Sequence, residues 1–192
     1  VIFDVGGVLV AEKIEPVFKA LNKRIGKGVF KKGKLNRAIT GGWISEKEFY
    51  DVLSRKTRIS AKQLLKMTKE EYLKIMHVNK DVLNISRQLT KNGYKIGIIS
   101  NTSPQHKRIN AKRGVFRGFS PKIFSCDVKM LKPETRIYRL LLEKTRMNPN
   151  ECIVIDDRKE FTDAAKKCGM KSIHFKNAVQ LKKDLRKLGV RI

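Results

Sequence analysis

Cysteine is scarce and scattered: Cys126, Cys152 and Cys168 are the three in 192 residues, and none stands in a CxxC or Cys/His cluster. That spacing argues against a disulfide framework and suits reduced thiols in a cytoplasmic protein. The three histidines, His77, His106 and His174, form no metal-ligand spacing either. Long apolar runs are missing. None approaches the roughly 20 residues of a membrane-spanning helix, and no signal-peptide pattern is present. Acidic residues are in short supply, 18 against 44 Lys and Arg, which leaves a formal charge of +26. Such a surface attracts polyanions, and nonspecific nucleic-acid binding is expected from it, but charge says nothing about fold.

What is present is an ordinary 41% of hydrophobic residues, enough for one core or a core with a small insertion. The chain opens inside an apolar run, Val1-Ile2-Phe3, as expected of a first strand that has lost a few residues. That run ends in Asp4, followed at once by Val5, Gly6 and Gly7. Short β-branched runs read as buried parallel strands, and paired glycines mark a tight turn or a close backbone approach.

From about residue 12 to 92 the pattern is helical. Ile14, Val17, Phe18, Leu21 and Ile25 recur at helical spacing, a second helix carries Leu35 and Ile39, and Gly41-Gly42 break it. Ser45 with Glu48 forms a capping box, Ser60 opens another helix, and Asn92-Gly93 close the last one. After Tyr94 strands and helices alternate: Tyr94–Ile99, Lys122–Phe124, Cys152–Ile155 and Ser172–Phe175 are the strands. Alternation of this kind predicts βαβ units and a parallel sheet. The fold class is therefore α/β, a Rossmann-like three-layer core (1–11 and 93–192) carrying an inserted α-helical domain (12–92).

Four strand ends then present Asp4, Ser100-Asn101-Thr102, the loop before Lys132-Pro133, and Asp156-Asp157. Right-handed crossovers place all of these on one edge of the sheet. Carboxylates from two strands would repel there unless a cation lay between them; oxygen ligands favour a hard ion, and magnesium typically uses one or two carboxylates with substrate phosphate and waters. A lysine and a hydroxyl at the same edge suit a phosphoryl group. Ser100 also fits the N-cap of a following helix, a place where phosphate binds as well.

These residues resemble the haloacid dehalogenase superfamily of phosphatases, four motifs in order. Phe3-Asp4-Val5-Gly6-Gly7-Val8-Leu9 is similar to the first motif, whose Asp is the nucleophile. Ile98-Ile99-Ser100-Asn101 resembles the second, Lys132-Pro133-Glu134 the third, and Ile155-Asp156-Asp157 the acidic fourth. The helical insertion is similar to a C1-type cap. The resemblance implies catalysis by Asp4 and Lys132, and phosphate binding by Ser100, Asn101 and Lys132. It implies Mg2+ held by Asp4, the Gly6 carbonyl, Asp156 and Asp157, with Asp156 alternatively an acceptor that orients Lys132. The substrate implied is a small phosphorylated molecule. Trp43, Phe49 and Tyr50 read as cap core before substrate platform, with Trp43, at a glycine turn that can face the site, as the cap candidate, and His106 is a secondary substrate candidate.

Two positions depart from the pattern. Gly6 stands where family phosphatases usually carry a general-acid Asp, although a branch resembling sugar-1-phosphate phosphatases also has glycine there. Phe161 stands where a helix-starting Asn commonly follows the paired aspartates, which unsettles the hydrogen bonding around them. Both departures, with the charge, support a competing reading: a weak or inactive module that holds nucleic acid or another polyanion.

Overall fold

The structure, a computed structural model, describes residues 1–11, 14–31 and 33–192. In chain order the strands are β1 (Ile2–Phe3), β2 (Val10–Ala11), β3 (His77–Val78), β4 (Gly97–Ser100), β5 (Lys122–Phe124), β6 (Ile153–Asp156) and β7 (Lys171–His174). The helices are α1 (Ile14–Ile25), α2 (Lys34–Thr40), α3 (Glu46–Thr57), α4 (Ala61–Ile75) and α5 (Lys80–Lys91). After β4 come α6 (Pro104–Lys112), α7 (Ser125–Val128), α8 (Thr135–Thr145), α9 (Lys159–Lys167) and α10 (Ala178–Lys187).

Five strands form a parallel sheet in the order β5-β4-β1-β6-β7, so the first strand of the chain lies at the centre. Alternate side chains of a strand point to opposite faces, and the core divides accordingly. Phe3, Ile98, Ile153 and Ile155 join one apolar cluster with residues of α5 and α10. Ile2, Ile99, Ile123 and Val154 join another with Ile137, Tyr138 and Leu141 of α8 and Ala164 and Ala165 of α9. Helices on both faces are what let the strands read as unbroken apolar runs. Each of these buried aliphatic side chains contributes about 1.5–3 kcal/mol.

The chain leaves this sheet after β1 and returns through α5. Both ends of the excursion are tied together: β2 and β3 pair antiparallel, with Val10 opposite Val78. Between them α1 packs on α4 and α3 on α4. Ser45 and Ser60 each cap their helix with a complete capping box, Ser45 with Glu48 and Ser60 with Gln63. The fifth helix lies within the segment 12–92 in sequence, but it packs against α10 on the sheet. Its buried Val82, Ile85 and Leu89 form the apolar stripe that faces the core. Lys32, part of the basic run Lys27, Lys31, Lys32 and Lys34, lies outside the described residues. Among the described residues no helix is long and apolar enough to cross a membrane.

Candidate active site

Asp4 follows the central strand, and its backbone N–H still donates to the Ile155 carbonyl of β6 at 2.9 Å. The next residues turn sharply: Val10 N–H donates to the Val5 carbonyl at 2.8 Å and Gly7 N–H to the Val10 carbonyl at 2.8 Å. Gly7 has φ +78°, and a Cβ there would overlap the Asp157 carboxylate. The glycine is thus required twice, by the left-handed backbone and by the carboxylate that lies against it.

Lys132 ties the site together. It is 2% exposed, and its ammonium stands 3.0 Å from Asp4 Oδ1 and 2.5 Å from Asp156 Oδ2, and donates to the Ile99 carbonyl at 3.2 Å. Its backbone is clamped by Asn101, whose side chain donates to the Lys132 carbonyl and accepts the Lys132 N–H, both at 2.9 Å. The Phe161 ring closes the remaining side, with the ammonium 4.8 Å from its centroid. Arg158 lies over the same ring at 4.3 Å and pairs with Glu160.

Burial raises the Asp4 carboxyl to about 7; Lys132 pulls it down and Asp156 pushes it up. Burial works against the Lys132 charge, but Asp4 and Asp156 outweigh it and hold the ammonium above the ordinary lysine value. Asp157 is raised by burial first and by Asp156 second. Removing the lysine from such a cluster leaves two carboxylates without their counter-charge, which typically costs about 3–5 kcal/mol.

The structure brings Asp4, Asp156 and Asp157 together, one oxygen of each lying within 4.8 Å of the others. Asp156 is fully buried, with one oxygen on Lys132 and the other accepting the Arg158 N–H at 2.9 Å. Asp157 faces a cavity of about 900 Å³ that Asp4, Gly6, Ser100, Asn101 and Lys132 also line. Ser100 is 2% exposed, and its hydroxyl has no hydrogen-bond partner among the described residues. It does not cap α6. That N-cap is Ser103, whose hydroxyl accepts from His106 N–H while Pro104 takes the first helical position.

The Asn101 side chain is held by Lys132 through both its amide groups, and the residue lines the cavity, where its backbone N–H is the phosphate donor that the second motif implies. Two expectations change in detail. Trp43 is not among the cavity-lining residues. Gly42 (φ +66°) lies against the backbone of Cys126, and the neighbouring indole is exposed, its N–H donating to the Lys129 carbonyl at 3.4 Å. Phe161 does not leave the paired aspartates unsupported: Asp156 takes its hydrogen bond from the Arg158 amide, and the ring itself faces Lys132. The helical insertion contributes both apolar residues, among them Phe18, Phe30 and Phe49, and polar ones, among them Asn36, Tyr50 and Thr68, to the cavity lining. Tyr50 Oη shares a 2.6 Å hydrogen bond with Thr68 Oγ1 and donates to Gln105 Oε1 at 3.3 Å. Tyr50 reads from the sequence as cap core before substrate platform, while Asn36 and Thr68 carry no signal of their own.

The sequence profile of the haloacid dehalogenase-like hydrolases matches residues 1–169. A phosphorylated carbohydrates phosphatase from Thermotoga maritima is 27% identical over 184 residues, 91% of this chain and 83% of that protein. Among solved structures, a HAD-like family hydrolase from Porphyromonas gingivalis superposes with a TM-score of 0.85 at 21% identity, covering 100% of this chain and 97% of that one. A HAD family enzyme from Bacteroides thetaiotaomicron, in complex with magnesium and inorganic phosphate, gives 0.77 at 21% identity, covering 92% and 93%. At that identity the two structures establish the fold.

Proposed function

The chain belongs to the haloacid dehalogenase-like hydrolase family, and on that premise we propose that it is a magnesium-dependent phosphatase of a small phosphorylated carbohydrate. The observation that carries the reading is the Asp4–Lys132–Asp156 cluster at a cavity that polar and apolar side chains of the helical insertion also line. The likeness to a phosphatase of phosphorylated carbohydrates supports the substrate class. In this reading the helical insertion of residues 12–92 is a cap, and its Tyr50, Thr68 and Asn36 meet the hydroxyls of the leaving group.

The residues fit a magnesium ion. Three carboxylates converge, burial and the mutual repulsion with Asp156 disfavour the charge on Asp4 unless a cation offsets it, and hard oxygen donors are what magnesium selects. Asp4, Asp157 and the Gly6 carbonyl would hold it, with Asp156 orienting Lys132 more directly than it faces the cavity. When bound, the ion supplies charge neutralisation at the transferring phosphoryl group.

Asp4 Oδ1 accepts the Val5 N–H at 2.7 Å and faces Lys132, which leaves Oδ2 as the attacking atom. Its lone pair forms the new bond to phosphorus as the bond to the leaving oxygen breaks. Lys132 and the Ser100 hydroxyl meet the phosphoryl oxygens. Gly6 offers no acid, so the leaving oxygen takes its proton from water or from the substrate. This favours a good leaving group such as an anomeric oxygen. Water then cleaves the aspartyl-phosphate and restores the carboxylate. The non-catalytic alternative is disfavoured, because a binding module has no need of a nucleophile, a buried lysine and a third carboxylate in one cluster.

The test is phosphate release across sugar phosphates, nucleotides and acyl phosphates, with and without magnesium. Turnover on a sugar phosphate, lost in Asp4→Asn and on chelation, is expected. No turnover on any substrate class in the parent protein would overturn the reading.

A further inference from the structure

A second cleft, of about 370 Å³, opens between α5 and the segment that follows α6. Its walls are Leu83, Ser86 and Arg87 from one side and Lys112, Arg113, Gly114 and Arg117 from the other. None of these residues lines the catalytic cavity. Four cations therefore surround one concave site, with no carboxylate among its lining residues.

Neighbouring cations behave differently. On α6 itself, Lys107 pairs with Asp127 at 2.6 Å and Arg108 with Glu46 at 2.6 Å. Among the described residues, Arg87, Lys112, Arg113 and Arg117 form no ion pair. Arg87 instead donates to the Asn84 side chain at 2.8 Å. The backbone also positions Arg117: Gly114 has φ +73°, and a Cβ there would lie 3.3 Å from Arg117 Nε, so the guanidinium folds back over the glycine. The helix dipole accounts for two of the four cations, since Lys112 and Arg113 end α6. It does not account for Arg87 in the body of α5 or for Arg117 beyond the turn.

Like charges brought to one cleft repel, and a polyanion relieves that repulsion. Arginine forks match phosphate oxygens in pairs. We propose that this cleft binds a small molecule bearing several phosphate groups, at a site separate from catalysis. The cleft is open on one side, and its volume supports this class: about 370 Å³ is within the range of small-molecule pockets and exceeds the need of a single phosphate. Strand-like polyanions favour an extended stripe of charge instead.

Inorganic tripolyphosphate is the probe. It is titrated calorimetrically into the full chain without divalent metal, in excess orthophosphate to occupy sites that admit one phosphate. One equivalent should bind, and Arg87→Gln/Arg113→Gln/Arg117→Gln should weaken it at least tenfold while sugar phosphate turnover is unchanged. The charge-matched control Lys27→Gln/Lys31→Gln/Lys34→Gln should bind as the parent does. Equal weakening in the control would show an effect of total charge and overturn the proposal, as would unaltered binding in the arginine variant. A single-stranded oligonucleotide that binds more tightly per phosphate than tripolyphosphate, and loses affinity in the arginine variant, would replace the small ligand by nucleic acid.

Discussion

Asn101 and Lys132 hold each other through a reciprocal pair of hydrogen bonds, amide to carbonyl and carbonyl to N–H, both 2.9 Å long. They lie 31 residues apart, one after β4 and the other before α8. The pair fixes the main chain of the lysine whose ammonium bridges Asp4 and Asp156. Asn101→Ala removes both bonds, at about 1 kcal/mol each. Loss of stability by about 2 kcal/mol is expected, with kcat reduced about tenfold or more as the ammonium loses its placement. Denaturant titration and steady-state kinetics check the two effects, and an unchanged kcat would show that Lys132 needs no such clamp.

Phe161 presents its ring to the Lys132 ammonium at 4.8 Å and to Arg158 at 4.3 Å. Phe161→Leu keeps an apolar side chain but removes the negative face of the ring, an interaction of about 0.5–2 kcal/mol. Turnover should fall several-fold, with a fall of a few degrees in melting temperature from the lost ring contacts. Unchanged turnover would make the ring a packing group alone.

The convergence of the acidic residues was legible where it sits on local grammar. Asp4 and Asp157 follow short β-branched runs, and such runs have few alternatives to a buried parallel strand. Lys132 was legible only through its Lys-Pro-Glu setting, because one lysine among 44 basic residues carries no signal of its own. The two-residue strands β2 and β3 have no periodicity to read, and their pairing is settled by the return of the chain. Helix α6 was written in Ser103-Pro104, an N-cap followed by proline at the first turn, one helix start later than Ser100 suggests. Trp43 lies outside the cavity lining, beside a contact of Gly42 with Cys126 that joins segments far apart in sequence and leaves no local mark. Phe161 looked like a lost hydrogen-bonding residue; its ring face toward Lys132 exists only in the fold.

Gly7 provides a direct test of the metal reading. Gly7→Ala forces a side chain into the left-handed region, at about 1–2 kcal/mol, and drives its Cβ into the Asp157 carboxylate. Asp157 must move, so half-saturation by magnesium should shift upward by about tenfold or more. Circular dichroism should report an intact fold. A magnesium titration that coincides with that of the parent would remove Asp157 from the metal site.

His106 stacks on Tyr72 with centroids 3.8 Å apart and planes 12° from parallel, at the wall of the catalytic cavity. Burial lowers its pKa from 6.5 to about 4. Between those values the unfolded chain takes up a proton that the folded chain refuses. Stability is therefore full above pH 6.5 and declines as pH falls toward 4. The ring is only partly covered, so the loss is on the order of 1–2 kcal/mol rather than the full linkage value. His106→Phe keeps the stack and cannot protonate. Denaturant midpoints from pH 7.5 down to pH 4.5 should fall less steeply in the variant than in the parent. Parallel slopes in the two proteins would show that His106 takes up its proton as readily folded as unfolded.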